Sequence, residues 1–183
     1  MNRYIKTATP IVLFLSIWAI LFFSGRYMLY LQEQLQLFQN SWDYFIENCT
    51  YNAGFAQMVT EFIIQFCYIP WLGCLILAGV ITAGIYMLKS ILRKLGVSKG
   101  LTPIAIIPTI PLIYSLVTSE VTFAYIQFFI AIAISSIVMK VKYKYQYIVG
   151  TISAPLLFWL CGAPAILLPI FIAISSFTKG NRG

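Results

Sequence analysis

The residues of this chain that could do chemistry are concentrated between positions 26 and 61. This stretch contains Glu33, Asp43, Glu47 and Glu61, four of the five acidic residues in the protein. An ionised carboxylate held beside an acceptor hydroxyl can act as a general base. Glu33 and Asp43 are the candidate catalytic residues, with Glu33 first because Asp43 can serve its own helix N-terminus instead.

Other common catalytic groups are missing from the sequence. The chain has no histidine, which excludes Ser-His triads, His-ligated metals and imidazole proton relays. Its cysteines form no C-x-x-C pair and no zinc spacing, so free thiols near the membrane are the simplest interpretation. They are Cys49, Cys67, Cys74 and Cys161. No metal site is indicated, and the sequence leaves any cofactor unknown.

The composition predicts an integral membrane protein. Of the 183 residues, 61% are hydrophobic and 9% are charged, which is too little polar surface for a soluble globule. The net charge of +7 is carried by short clusters between apolar runs, a pattern typical of membrane loops and not of nucleic-acid binding. We therefore expect an all-α, polytopic membrane helix bundle that forms one domain over residues 1–183.

Charge-free runs of about 20 residues are long enough to cross the hydrocarbon core. The first run follows a basic flank without a cleavage site, so it is predicted to be an uncleaved anchor. Three prolines predict that the third span is kinked. Six spans are predicted, at about 7–25, 68–88, 101–118, 121–139, 148–160 and 164–177.

Residues 145–178 form one long charge-free run, which is too long for one ordinary span and short for two. Glycine and proline in the sequence CGAP, Cys161 to Pro164, indicate a turn inside this run. Two short or tilted helices are one interpretation. A single span with a re-entrant segment is the other.

The charge distribution predicts orientation. With six spans and the N-terminus inside, 11 of the 12 basic residues fall on the cytoplasmic side and all five acids on the other. This partition follows the positive-inside rule. We expect an inner membrane protein with both termini cytoplasmic and an extracytoplasmic loop at 26–66.

The loop itself carries helical patterns. Apolar residues at 28, 31, 35 and 38 predict an amphipathic helix lying in the membrane interface. Ser41 is a plausible N-cap for a second helix over 42–48, with Asp43 in its first turn. A turn at 52–54 precedes a third helix that leads through Glu61 into the second span.

Short motifs in this loop resemble an uncharacterised family of bacterial multi-pass membrane proteins, a domain of unknown function with an EQxQLF/YF outer loop. Here the motifs stand as EQLQLF at 33–38, YF at 44–45 and NAGF at 52–55, with FIIQFCYIPWLG at 62–73 and FWLCGAP at 158–164. The resemblance implies membership of that family as a short or truncated member. It assigns no activity.

Three functions fit this organisation. A structural or assembly module of an envelope membrane system needs only a partner, either a membrane or a periplasmic protein. A first span followed by a large acidic outer loop is also the layout of membrane glycosyltransferases that act on lipid-linked sugars, with Glu33 or Asp43 as the base. A small transporter is the third hypothesis, although its spans would lack ionisable groups. The lipid bilayer is a partner in every case, and nucleic acid in none.

Overall fold

The computed structural model describes residues 3–35, 38–98, 100–118 and 122–180, and every regular element in these ranges is a helix. The predicted all-α class is therefore confirmed. The helices are α1 Arg3–Ile20, α2 Arg26–Leu35, α3 Trp42–Thr50, α4 Gly54–Gln65, α5 Pro70–Lys94, α6 Thr109–Thr118, α7 Thr122–Val138, α8 Tyr143–Cys161 and α9 Leu167–Gly180. A π segment, Leu21–Gly25, joins α1 to α2, and 3-10 turns cover Phe66–Tyr68, Thr102–Ile106 and Ala163–Ile166.

Side-chain contacts define the two ends of the bundle. At one end the Thr122 hydroxyl, at the start of α7, donates to Oε1 of Gln32 on α2. At the other, Nζ of Lys94 on α5 donates to the carbonyl oxygen of Met139, just after α7, at 2.7 Å. We call these the cap end and the lysine end. Beyond α4, the chain alternates between them through α5, α6, α7, α8 and α9.

Helix length does not support six transmembrane helices. In the described ranges, two helices are long and apolar enough to cross a membrane, Ala8–Leu35 with 28 residues and Pro70–Lys94 with 25. The third predicted span, 101–118, is not one helix but a 3-10 turn followed by α6, which has 10 residues. Pro103, Pro108 and Pro111 explain the break, because each proline removes a backbone donor and clashes with the preceding turn.

The helix that contains the first predicted span continues to residue 35, so the segment predicted as an amphipathic helix is its last part, α2. Residues 8–35 form one continuous helix, and the buried residues of α2 are Leu29 and Gln32, not the predicted stripe. In a regular α-helix each residue turns about 100° around the axis, so the side chains of Ile17 and Leu29 would point about 120° apart. The π segment contains one extra residue, which reduces the angle between them to about 20°. The π segment therefore keeps α2 on the face of α1 that packs against α5. Residues 36 and 37, which the predicted amphipathic helix also includes, lie outside the described ranges.

The core is centred on α5, which packs against both α1 and α7. Leu77, Ala78 and Ile81 of α5 are completely buried. Large apolar side chains are exposed on the outward faces of the π segment, α8 and α9, including Phe23, Ile152 and Phe177. The surface of the bundle is therefore apolar as well as its interior.

The predicted break in residues 145–178 is confirmed at Gly162. This residue has φ 71° and ψ −141°, a conformation that an L side chain rarely adopts. It ends α8 and leads through the 3-10 turn at Ala163–Ile166 into α9. The two helices pack against each other as a hairpin whose tip lies at the cap end.

Candidate functional site

Residues 41–65, comprising α3, α4 and the turn between them, form a compact unit that we call the cap. Ser41 is the N-cap of α3, and its Oγ accepts from the backbone N–H of Tyr44 at 3.3 Å. The predicted helix start is thus confirmed, with Asp43 in the first turn. The helix ends at Thr50, and α4 packs back against it.

The turn of the cap is docked on the tip of the α8–α9 hairpin. Ala53 has φ 66°, and its N–H donates to the carbonyl oxygen of Trp159 at 2.8 Å. A Cβ on Gly162 would lie 3.2 Å from the Cβ of Ala53 and 3.4 Å from Nε2 of Gln127. The NAGF and FWLCGAP motifs, more than 100 residues apart in sequence, therefore meet here.

The close packing of α3 on α4 depends on Gly54. A Cβ at this position would lie 1.8 Å from the carbonyl oxygen of Asn48. Asn48 is itself buried, and its Nδ2 donates to the carbonyl oxygen of Tyr44 at 2.9 Å. Any side chain at position 54 would thus push α3 away from α4.

A buried carboxylate, Glu61, lies inside the cap. It is 8% exposed, accepts a short hydrogen bond from the Tyr44 hydroxyl, and accepts from Nε2 of Gln57 at 3.0 Å. Burial and the bond to Glu61 raise the pKa of Tyr44 above its usual value of 10.0. Glu61 therefore fixes α4 to α3 through Tyr44.

Glu61 is one of the five acids of the sequence but was not among the predicted site residues. The signal was its position within an apolar helix, four residues after Gln57, where both side chains share one face. Next to this pair, four aromatic side chains, Phe38, Tyr44, Phe62 and Phe66, form a series of edge-to-face contacts, with centroids 5.4 to 5.6 Å apart.

Glu33 and Asp43 lie on helices that do not pack against each other. Glu33 is half-buried near the end of α2, and its carboxylate acts electrostatically on Cys67, whose pKa is raised to about 12, mainly by burial and by Cys74. Among the described residues, the Glu33 side chain has no hydrogen-bond or ion-pair partner. Asp43 is exposed on α3, which packs on α4. Their catalytic roles stay predictions.

The solvent side of the cap is aromatic. Trp42 is 73% exposed and stacks on Phe45, with the ring centroids 5.5 Å apart. Tyr51, Phe55 and Phe62 are also exposed. Between α3 and α4 a groove of about 260 Å³ is lined by Phe45, Phe55 and Phe62 among others. We call this surface the aromatic face.

A second groove lies between α2 and the start of α5. It has a volume of about 430 Å³ and is lined by Phe22, Arg26, Tyr27, Tyr30, Pro70 and Trp71. Trp71 is held there because its carbonyl oxygen accepts from Nε1 of Trp18 at 3.3 Å. Arg26 is the one basic residue of the sequence that falls outside the predicted cytoplasmic clusters.

Metal ligands are not grouped anywhere in the described ranges, where no three His, Cys, Asp or Glu residues lie close enough to hold an ion. The four cysteines are free thiols, and Cys67, Cys74 and Cys161 are buried. The arrangement around the cap can thus bind and orient through carboxylates, hydroxyls and aromatic rings.

Comparison with known proteins gives one result. A model of the DUF6057 family, a family of unknown function, matches residues 3–183. No curated protein and no solved structure matches the chain. Since the match covers almost the whole sequence, the chain belongs to the DUF6057 family.

Proposed function

We propose that this protein is a six-pass membrane protein that serves as a structural or assembly module of an envelope membrane system. In this proposal the cap end faces outward, both termini are cytoplasmic, and the aromatic face of the cap binds a membrane or periplasmic protein. The observation that carries the proposal is the exposed aromatic face on a cap that is rigidly docked to the bundle.

The short helices are compatible with six crossings. At 1.5 Å per residue α7 is about 25 Å long and α8 about 28 Å, close to the hydrocarbon thickness of about 30 Å. The 3-10 turn before α6 adds about 10 Å to the 15 Å of α6, so the third crossing is a broken helix packed against its neighbours.

The charges at the two ends support the orientation. Lys94 lies beside Met139 at the lysine end, next to the segment that carries Lys140, Lys142 and Lys144. Glu33, Asp43 and Glu61 belong to the opposite end. Lysine-rich connections favour the cytoplasmic side.

The aromatic face has the composition of a protein interface. Aromatic residues are enriched in the buried centres of interfaces, and charged residues at their rims. Trp42 and Phe45 would form the centre, while Asp43 and Glu47 are exposed on the same helix. Because this surface lies on the cap and not along the crossing helices, lipid does not have to cover it.

Photo-crosslinking from Ile46, an exposed residue of α3, tests this role in cells of the native host. We expect one defined protein adduct, and Trp42→Ser should abolish it without changing the protein level. The matched control is a crosslinker at Ile174, exposed on α9, which should capture no such protein. Adducts with lipid alone from Ile46 would contradict the proposal.

The glycosyltransferase-like function is the second candidate, and Glu33 is the observation that favours it. Its carboxylate is half-buried on a rigid helix and is unpaired among the residues that the structure describes. Glu33→Gln should then abolish complementation of an envelope glycan defect in a deletion strain, at unchanged protein level. Full complementation by Glu33→Gln combined with Asp43→Asn would exclude a catalytic role for either residue.

A further inference from the structure

The groove between α2 and the start of α5 combines an apolar wall with one cation. Its volume of about 430 Å³ falls in the range of about 300–1,000 Å³ found for small-ligand sites. Five of its six lining residues are aromatic or proline, and the sixth is Arg26. A ligand that fits must therefore carry a negative charge on an otherwise apolar body.

Arg26 is available to such a ligand. Its side chain is exposed, and its guanidinium lies 5.5 Å from the centroid of the Phe22 ring. Arg26 lines the groove together with Pro70 and Trp71 at the start of α5. Within the described ranges it makes no ion pair with a carboxylate, so its hydrogen-bond donors are not occupied by an acid.

Two tyrosines add hydroxyl donors beside Arg26. Tyr27 is 72% exposed, and Tyr30 follows Arg26 by one helical turn. The Tyr30 oxygen accepts from Nε2 of Gln34 at 3.1 Å, which leaves its own proton to donate outward. A guanidinium fork with neighbouring hydroxyls matches the acceptor oxygens of a phosphate group.

The position of Arg26 along the helix indicates a lipid phosphate and not a soluble one. Arg26 lies 18 residues after Ala8, about 27 Å along the helix, which is close to one hydrocarbon thickness of about 30 Å. On the membrane placement proposed above, on which this inference rests, the guanidinium stands at the outer boundary between acyl chains and headgroups. Tyrosine and tryptophan are also typical of that depth.

We propose that this groove binds an anionic phospholipid, with the headgroup phosphate on Arg26 and the upper part of an acyl chain against Phe22 and Trp71. A soluble phosphate would leave the apolar wall exposed. A zwitterionic lipid would bring a second cation towards Arg26, so the site prefers a lipid with net negative charge.

Native mass spectrometry of the full-length protein, released from detergent micelles, tests this preference. Phosphatidylglycerol and phosphatidylcholine with the same acyl chains are titrated separately, with glycerol phosphate and a polyprenyl diphosphate as competitors. We expect one site that prefers phosphatidylglycerol about tenfold, or about 1.4 kcal/mol, because the choline cation of phosphatidylcholine would lie close to Arg26. Arg26→Gln should abolish the preference, and Arg26→Lys should keep part of it.

Arg93→Gln is the matched control, because it removes the same charge from the lysine end of α5 and should leave the preference unchanged. Equal affinity for the two lipids, or an unchanged preference in Arg26→Gln, would overturn the proposal. Displacement by glycerol phosphate at the same concentration, or much tighter binding of the polyprenyl diphosphate, would also overturn it.

Alkaline carbonate extraction separates this inference from the membrane placement. Release of the wild-type protein into the soluble fraction would contradict both the proposed membrane placement and the proposed lipid site. Retention in the membrane without a preference for phosphatidylglycerol would defeat the groove proposal alone.

Discussion

At the residue scale, the acids of this chain differ in what surrounds them, and the sequence predicted only part of that difference. Asp43 was expected in the first turn of a helix capped by Ser41, and it lies there because capping depends on neighbouring residues only. The burial of Glu61 under Tyr44 depends on two helices meeting, which local pattern does not encode.

The Tyr44–Glu61 hydrogen bond should stabilise the cap. Tyr44→Phe leaves the Glu61 carboxylate without its hydroxyl donor, and we expect a loss of about 1–3 kcal/mol in the free energy of unfolding. A thiol-reactive dye can report thermal unfolding, because three of the four cysteines are buried. Tyr51→Phe, at an exposed tyrosine of the same cap, is the control and should change the midpoint little. Equal midpoints for Tyr44→Phe and wild type would refute a stabilising bond.

The same pair predicts a pH dependence. The pKa of Tyr44 is raised above 10.0 in the folded protein, so folding favours the protonated phenol. The contribution of Tyr44 to the free energy of unfolding is complete below about pH 10. It is lost as the pH rises further, because the phenol then ionises readily only in the unfolded chain. The stability difference between wild type and Tyr44→Phe should therefore shrink above pH 10. A difference that grows there would contradict this sign.

Cysteine reactivity should separate Cys67 from Cys49. Burial is the main cause that raises the pKa of Cys67 to about 12, so at pH 8 about one thiol in ten thousand is ionised. Because the thiolate is the reactive form, Cys67 should resist maleimide in the folded protein, whereas the half-buried Cys49 should react. Mass spectrometry of labelled peptides checks this, and rapid modification of Cys67 at pH 8 would count against its burial.

At the element scale, boundaries set by local chemistry were predictable and those set by packing were not. Ser41 and Gly162 mark breaks that their own residue types favour. The π segment instead accompanies close packing of Gly25 on α6, where a Cβ would lie 3.3 Å from Cγ2 of Val117. The π segment rotates α2 around its axis. The buried face of α2 therefore differs from the apolar stripe that was predicted for a regular helix.

The α3–α4 contact gives an element-scale prediction. Gly54→Ala would place a methyl group 1.8 Å from the Asn48 carbonyl oxygen, so α3 must move away from α4. We expect a destabilisation of at least about 1–3 kcal/mol and faster protease cleavage within α3. In the control Gly79→Ala, the new Cβ would have one neighbour, a Phe14 ring atom at 3.9 Å, and should be tolerated. Wild-type protease resistance in Gly54→Ala would show that the contact is not tight.

At the scale of the whole molecule, the sequence predicted the all-helical class. The prediction that 11 basic residues lie on one side of the membrane also rests on the sequence alone and requires no tertiary information. Two features differ from what the sequence predicted: the break before α6, where three prolines predicted only a kink, and the docking of Ala53 on Trp159. The second joins segments more than 100 residues apart, so no local pattern could have predicted it.

Two-sided cysteine labelling in intact cells tests the central claim, that the cap faces outward on a bundle whose lysine end is cytoplasmic. With a membrane-impermeant maleimide, Cys49 of the wild type should be labelled in intact cells. Ser98→Cys in a Cys49→Ser background should be labelled only after permeabilisation, because residue 98 lies beyond the lysine end of α5 and is exposed. Labelling of Ser98→Cys in intact cells, or protection of Cys49 until permeabilisation, would contradict the account.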